Sequence, residues 1–187
     1  MPRPDQQPRV LAVEKTDELE IRSLILLAIL LAAGFILNFT VGKAISSISG
    51  GMISPEFIIS AFCITILIVK PRVRQAFIIG LISAAVIQIT TTSPFIDFAA
   101  EGIAAVLMAL MVRIGNKLPY KRALPFISTV ITTTISGLIF MVIKIAMIGA
   151  ASQLVAAMTP VIILTAVFNA VLVQSLHKPI VDALKIG

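Results

Sequence analysis

Tryptophan is missing from this 187-residue chain, and tyrosine, cysteine and histidine occur once each. Charged residues make up only 13%, about half the share of an ordinary soluble domain. Each shortage excludes something. Without tryptophan no indole belt can mark the membrane interfaces, so helix ends must be read from charges and prolines. The lone cysteine, Cys63, rules out an internal disulfide and offers no metal-ligand spacing; inside its apolar run it reads as packing. One histidine, His177, cannot make H-E-x-x-H, and G-x-S-x-G is absent, so no intramembrane enzyme is expected. What is abundant is apolar: 58% of residues are hydrophobic and the mean hydropathy is +1.07. That composition belongs to an all-α integral membrane protein.

The opening "MPRPDQQPRVLAVEKTDELE" mixes prolines, glutamines and both signs of charge, which predicts a flexible cytoplasmic tail over residues 1–21 and no secretory signal peptide. Apolar segments follow at about 23–41, 55–69, 75–90, 95–112, 126–149 and 154–176, so residues 22–187 are expected to form one six-helix transmembrane domain. Two segments are short, which snorkelling and local thinning accommodate. Basic residues alternate between the connections. Arg3, Arg9, Lys15 and Arg22 precede the first segment, Lys70, Arg72 and Arg74 follow the second, and Arg113, Lys117, Lys121 and Arg122 follow the fourth. Lys178 and Lys185 follow the sixth, while the opposite loops carry only Lys43. Both termini are therefore expected inside. The net charge of +6 is topology, not a nucleic-acid footprint, because it is split among separate loops.

Carboxylates inside apolar segments need an explanation, since an unpaired charge there costs at least about 2.5 kcal/mol. "SPEF" reads as Ser54 capping a helix, Pro55 at its first position and Glu56 facing the helix dipole. "SPFID" repeats the pattern with Ser93, Pro94 and Asp97. Glu101 lies beyond the first turn, on the face of Asp97, and Lys144 is the one intramembrane cation available to it. The expected depths agree, Glu101 roughly 9 Å and Lys144 roughly 7 Å below the outer ends of their helices. Gln88, Thr90–Thr92, Glu56 and Thr159 fall in the same outer half. Thr132–Thr134 read as bonded back to their own helix, and Asn169 as glue between helices.

Acid and base at one level suit a zwitterion: its carboxylate near Lys144, its ammonium near Asp97 or Glu101. Phe57, Phe95, Phe98 and Phe140 are expected at similar depth as aromatic walls. Gly50, Gly51 and Met52 lie in a stretch, residues 42–54, that reads either as a gating lid or as a plain loop. Ala28 and Ala32, one turn apart, would admit a close helix neighbour, and Gly80 and Ala84 repeat that spacing. No G-x-x-x-x-G-K-[ST] occurs, so ATP hydrolysis would have to come from a partner.

Six helices, both termini inside, the AxxxA and the lid-like loop resemble the S components of energy-coupling factor (ECF) transporters. Within them, "SGGMISPEFIISAFCITILIVKPRVRQAFIIGLISAAVIQITTTSP" is most similar to the tryptophan-uptake TrpP family: Gly-Gly-Met before a proline and an acid, a basic Pro-containing turn, then consecutive threonines and a proline. The likeness spans roughly residues 22–176, with distinctive motifs only in 50–94, and the chain departs from the pattern after the threonines, at "FIDFAAEG". The resemblance implies a high-affinity substrate-binding subunit in the bacterial cell membrane, with no cofactor of its own. Its partners would be a transmembrane coupling protein, contacted through Ala28 and Ala32, and two ATPase subunits. Tryptophan leads as substrate; another amino acid or a vitamin fits the same residues, and an ion-coupled secondary carrier is the alternative, though no internal repeat supports one.

Overall fold

A computed structural model describes residues 20–89, 91, 93–115, 121–149 and 151–184. The expected tail lies outside them except at its end, where Glu20 precedes a helix that begins at Ile21. Among the described residues every regular element is helical: α1 (Ile21–Leu37), a π turn (Asn38–Gly42), α2 (Lys43–Ile48), α3 (Phe57–Val69), α4 (Val73–Ile87), α5 (Ile96–Gly115), α6 (Leu124–Ile148) and α7 (Ala151–Ala183). Among the described residues four stretches are long and apolar enough to cross a membrane: Ile21–Ile48, α5, α6 and α7. At 1.5 Å per residue, α3 and α4 measure only about 20 and 22 Å.

Helix α3 is the hub. Its residues from Phe57 to Leu67 are all buried, as expected of a helix apolar all round. It packs against α1, α4, α5, α6 and α7, while α4–α5, α5–α6 and α6–α7 pack in chain order. It ends at Lys70 in the left-handed conformation, after which Pro71 cannot continue the helix. The "IVKPRVRQ" turn therefore reverses the chain abruptly into α4.

The entry to α3 differs from the expected cap. Its N-cap is Glu56, not Ser54, and makes no side-chain cap bond. Remote asparagines do the work instead: the Phe57 N–H donates to Asn38 Oδ1 at 2.8 Å and the Glu56 N–H to Asn169 Oδ1 at 3.2 Å. The Ser54 N–H donates to Thr165 Oγ1 at 3.2 Å, and that hydroxyl donates back to the Ser54 carbonyl at 3.1 Å. Asn169 is thus interhelical glue, as its sequence position suggested. Asn38→Ala should cost about 1–2 kcal/mol by stranding the Phe57 N–H; an unchanged melting midpoint in detergent would contradict that bond.

The predicted lid is shorter than 42–54. Gly42–Ile48 is helical, with Lys43 Nζ 3.9 Å from the centroid of the Phe39 ring, so the irregular stretch runs from 49 to 56. Gly50 and Gly51 do adopt positive φ, +61° and +82°, and Met52 is exposed.

Small residues set the α4–α5 spacing. Gly80 lies so close to α5 that an added Cβ would sit 2.5 Å from the Glu101 carbonyl oxygen and 2.8 Å from Ala105 Cβ. Ala84, one turn on, is fully buried.

Candidate functional site

Helices α5 and α6 run antiparallel in a register that three contacts fix. Gly115 faces Leu124, Thr132 Oγ1 lies 3.5 Å from Met108 Sδ, and Ser136 Oγ donates to Glu101 Oε1 at 2.8 Å. In each case the two residue numbers sum to nearly the same value. The helices start level at the Gly115–Leu124 end, but α5 has 20 residues and α6 has 25. At the far end α6 overshoots by roughly 8 Å.

That overshoot corrects the expected depths. Glu101 meets Ser136, and Lys144 stands eight residues further along α6, about 12 Å by helical rise. Glu101 and Lys144 form no ion pair among the described residues; the ammonium instead lies 5.4 Å from the centroid of the Phe140 ring. Ser136, Phe140 and Lys144 follow one another at four-residue intervals, so they share a face. Long helical side chains lean toward the N-terminus, which turns Lys144 back along that face toward Phe140 and Ser136.

The acids gather more closely than the sequence implied. Glu101 and Asp97 are buried, and Asp97 occupies the first turn of α5 as read. Gln88, at the C-cap of α4, bridges two partners: its Nε2 donates to Asp97 Oδ2 at 3.2 Å, and its Oε1 accepts the Phe95 N–H at 2.9 Å. Thr91 also hydrogen-bonds Asp97; Thr90 and Thr92 lie outside the described residues. Glu56, read as a dipole partner, stands within electrostatic range of both Asp97 and Glu101. Its Oε2 accepts only a long bond, 3.4 Å, from Asn38 Nδ2. Three carboxyl groups from two helices thus share one region, with amides and hydroxyls as their partners.

Among the described residues the other predicted site residues add no side chain to these bonds, and Phe95 enters them through its backbone N–H alone. Phe57 is core, edge-on to Phe168 with centroids 6.0 Å apart. Phe95 is 77% exposed and holds a left-handed φ of +70°. Phe98 is half-buried and Thr159 exposed, the Thr159 hydroxyl donating to the Val155 carbonyl at 2.7 Å. Ala28 and Ala32 are exposed on α1. The threonine triplet is corrected in part: Thr132 reaches across to Met108, and the Thr133 hydroxyl is buried with no hydrogen-bond partner among the described residues. Sequence reasoning missed Ser136 as the partner of Glu101, although its spacing from Phe140 and Lys144 was visible.

No family model matches the chain, and comparison with curated proteins and with solved structures yields no match.

Proposed function

We propose that this chain is the substrate-binding membrane subunit of an ECF-type importer, taking up a small zwitterionic or aromatic micronutrient, with tryptophan the first candidate. In this reading α3 and α4 also span a locally thinned bilayer, giving six spans with both termini cytoplasmic, as the basic loops favour. The observation that carries it is the separation of opposite charges along one wall. Glu101 is buried against Ser136, and Lys144 lies two turns further along the same α6 face, over Phe140. A zwitterion inserted between them neutralises both ends at once: its ammonium meets Glu101, with Asp97 and Glu56 near, and its carboxylate meets Lys144. Phe140 and the half-buried Phe98 offer ring faces to an aromatic side chain. Gln88 holds Asp97 in place, and the 49–56 loop, hinged at Gly50 and Gly51 beside Met52, covers the entrance.

The partners follow from the reading as well. A coupling protein would dock on α1, where Ala28 and Ala32 leave a shallow exposed stripe beside Ile25 and Ile29, and two ATPases would supply the energy. Ala28→Leu or Ala32→Leu should abolish uptake while leaving ligand affinity of the isolated chain unchanged; equal loss of binding would remove α1 from docking. The function itself is tested by copurification with a coupling protein and ATPases, and by uptake that stops when those ATPases are inactivated. Uptake that survives their inactivation and collapses with an ionophore would instead identify an ion-coupled carrier.

A further inference from the structure

Where the start of α4 meets the end of α5, Arg72, Val73, Arg74, Gln75 and Arg113 line one open groove of about 490 Å³. No carboxylate of a described residue lines it, and the first turn of α4 carries no acid. Basic loops set topology wherever in the loop their charges stand. That rule gives no reason for three guanidiniums from two helices to share one groove, where like charges repel. Arg113 suits the last turn of α5, where the helix dipole favours a cation. Arg72 and Arg74 stand at the start of α4, the positive end of its dipole, so neither gains from its own helix. An anion in the groove relieves the mutual repulsion and the conflict with the dipole together.

Apolar stripes lead away from the groove on both helices. Arg74, Ile78 and Ile82 recur every four residues on α4, and Arg113, Leu110 and Ile103 follow at steps of three and seven on α5, so each set shares a face. The four apolar side chains are all exposed, between 37% and 50%. From the arginines the stripes run roughly 12 and 15 Å by helical rise, close to the half-thickness of a bilayer's hydrocarbon core. A phosphate held in the groove therefore leaves acyl chains lying along both stripes. A soluble anion would have no use for them. We infer that the groove binds the phosphodiester headgroup of an anionic phospholipid, gripped by Arg74 and Arg113 with Arg72 and Gln75 beside them. Its volume suits a small headgroup, and guanidinium forks match paired phosphate oxygens better than ammonium groups do. The inference needs only that α4 and α5 meet lipid, whatever solute the chain carries.

The test uses the full chain, stripped of lipid in detergent at constant pH and ionic strength, with no transported solute present, so its failure leaves the uptake reading untouched. Micelles doped with about 10 mol% phosphatidylglycerol should raise the melting midpoint by about 4 °C over micelles doped with phosphatidylcholine. Arg74→Gln and Arg113→Gln should each at least halve that increment. Lys178→Gln, which removes an exposed basic residue of α7 outside the groove, should leave it intact. Inorganic phosphate at about 10 mM should not move the midpoint. Equal midpoints in the two lipids would overturn the inference, as would an increment that Lys178→Gln reduces as much as the arginine variants do. A comparable rise with phosphate alone would overturn it too, by giving the groove to a soluble anion.

Discussion

Gly80→Val should lower stability by about 3 kcal/mol or more, with Gly80→Ala costing about 1–3 kcal/mol. The reason is where a Cβ would have to go. At 2.5 Å from the Glu101 carbonyl oxygen and 3.0 Å from its carbon, it meets backbone, which cannot rotate away as a side-chain tip would. The two helices must separate, and a void along the seam forfeits dispersion contacts on both sides. Valine adds two more methyl groups to the same gap. The displaced segment of α5 carries Glu101 itself, so ligand affinity should fall with stability. Thermal melting in detergent reads the first effect, with Ala99→Val on the exposed side of α5 as the control. A Gly80→Val chain as stable as the control would mean that α4 and α5 do not approach at this point.

Glu101→Ala and Lys144→Ala should each weaken ligand binding by roughly 1.5–3 kcal/mol, the worth of a hydrogen bond to a charged group, or about tenfold to a hundredfold. The two losses should add when combined. Because Glu101 contacts Ser136 and Lys144 stands over Phe140, neither replacement strands the other residue's charge in a broken ion pair. Additivity is the expectation for groups that touch different ends of one ligand. Had they formed a direct pair, the second replacement would have cost much less than the first. Titration calorimetry on the single and double variants separates the cases; unchanged affinity in both single variants would reduce the two residues to structural roles.

Much of the fold was legible because membrane helices announce themselves by length and apolar content. The small-residue pair Gly80 and Ala84 marked a close helix contact, "SPFID" placed Asp97 in a first turn, and Gly50–Gly51 marked left-handed backbone. The misreadings share a cause. Helix caps are usually local, yet α3 is capped by Asn38 and Asn169, 19 and 113 residues from the groups they bind. Sequence spacing carries no sign of such a partner. The depth of Lys144 failed for a related reason: it assumed that the Ile96 end of α5 is level with the Ile148 end of α6, whereas the antiparallel helices are level at Gly115 and Leu124 and differ in length. Glu56 looked like a dipole partner from its own neighbourhood, and only the packing of α3 against α5 brings it within range of Asp97 and Glu101.

In the proposed function one small molecule bridges the acids of α3 and α5 and the ammonium of α6. The most direct measurement is the melting midpoint of the purified chain with tryptophan and a panel of other amino acids, beside analogues lacking either the carboxylate or the ammonium. A zwitterion should raise the midpoint, each single-charge analogue should do so far less, and Lys144→Ala should erase only the advantage conferred by the carboxylate. A midpoint that responds equally to zwitterions and to their single-charge analogues, or to none of them, would contradict the account.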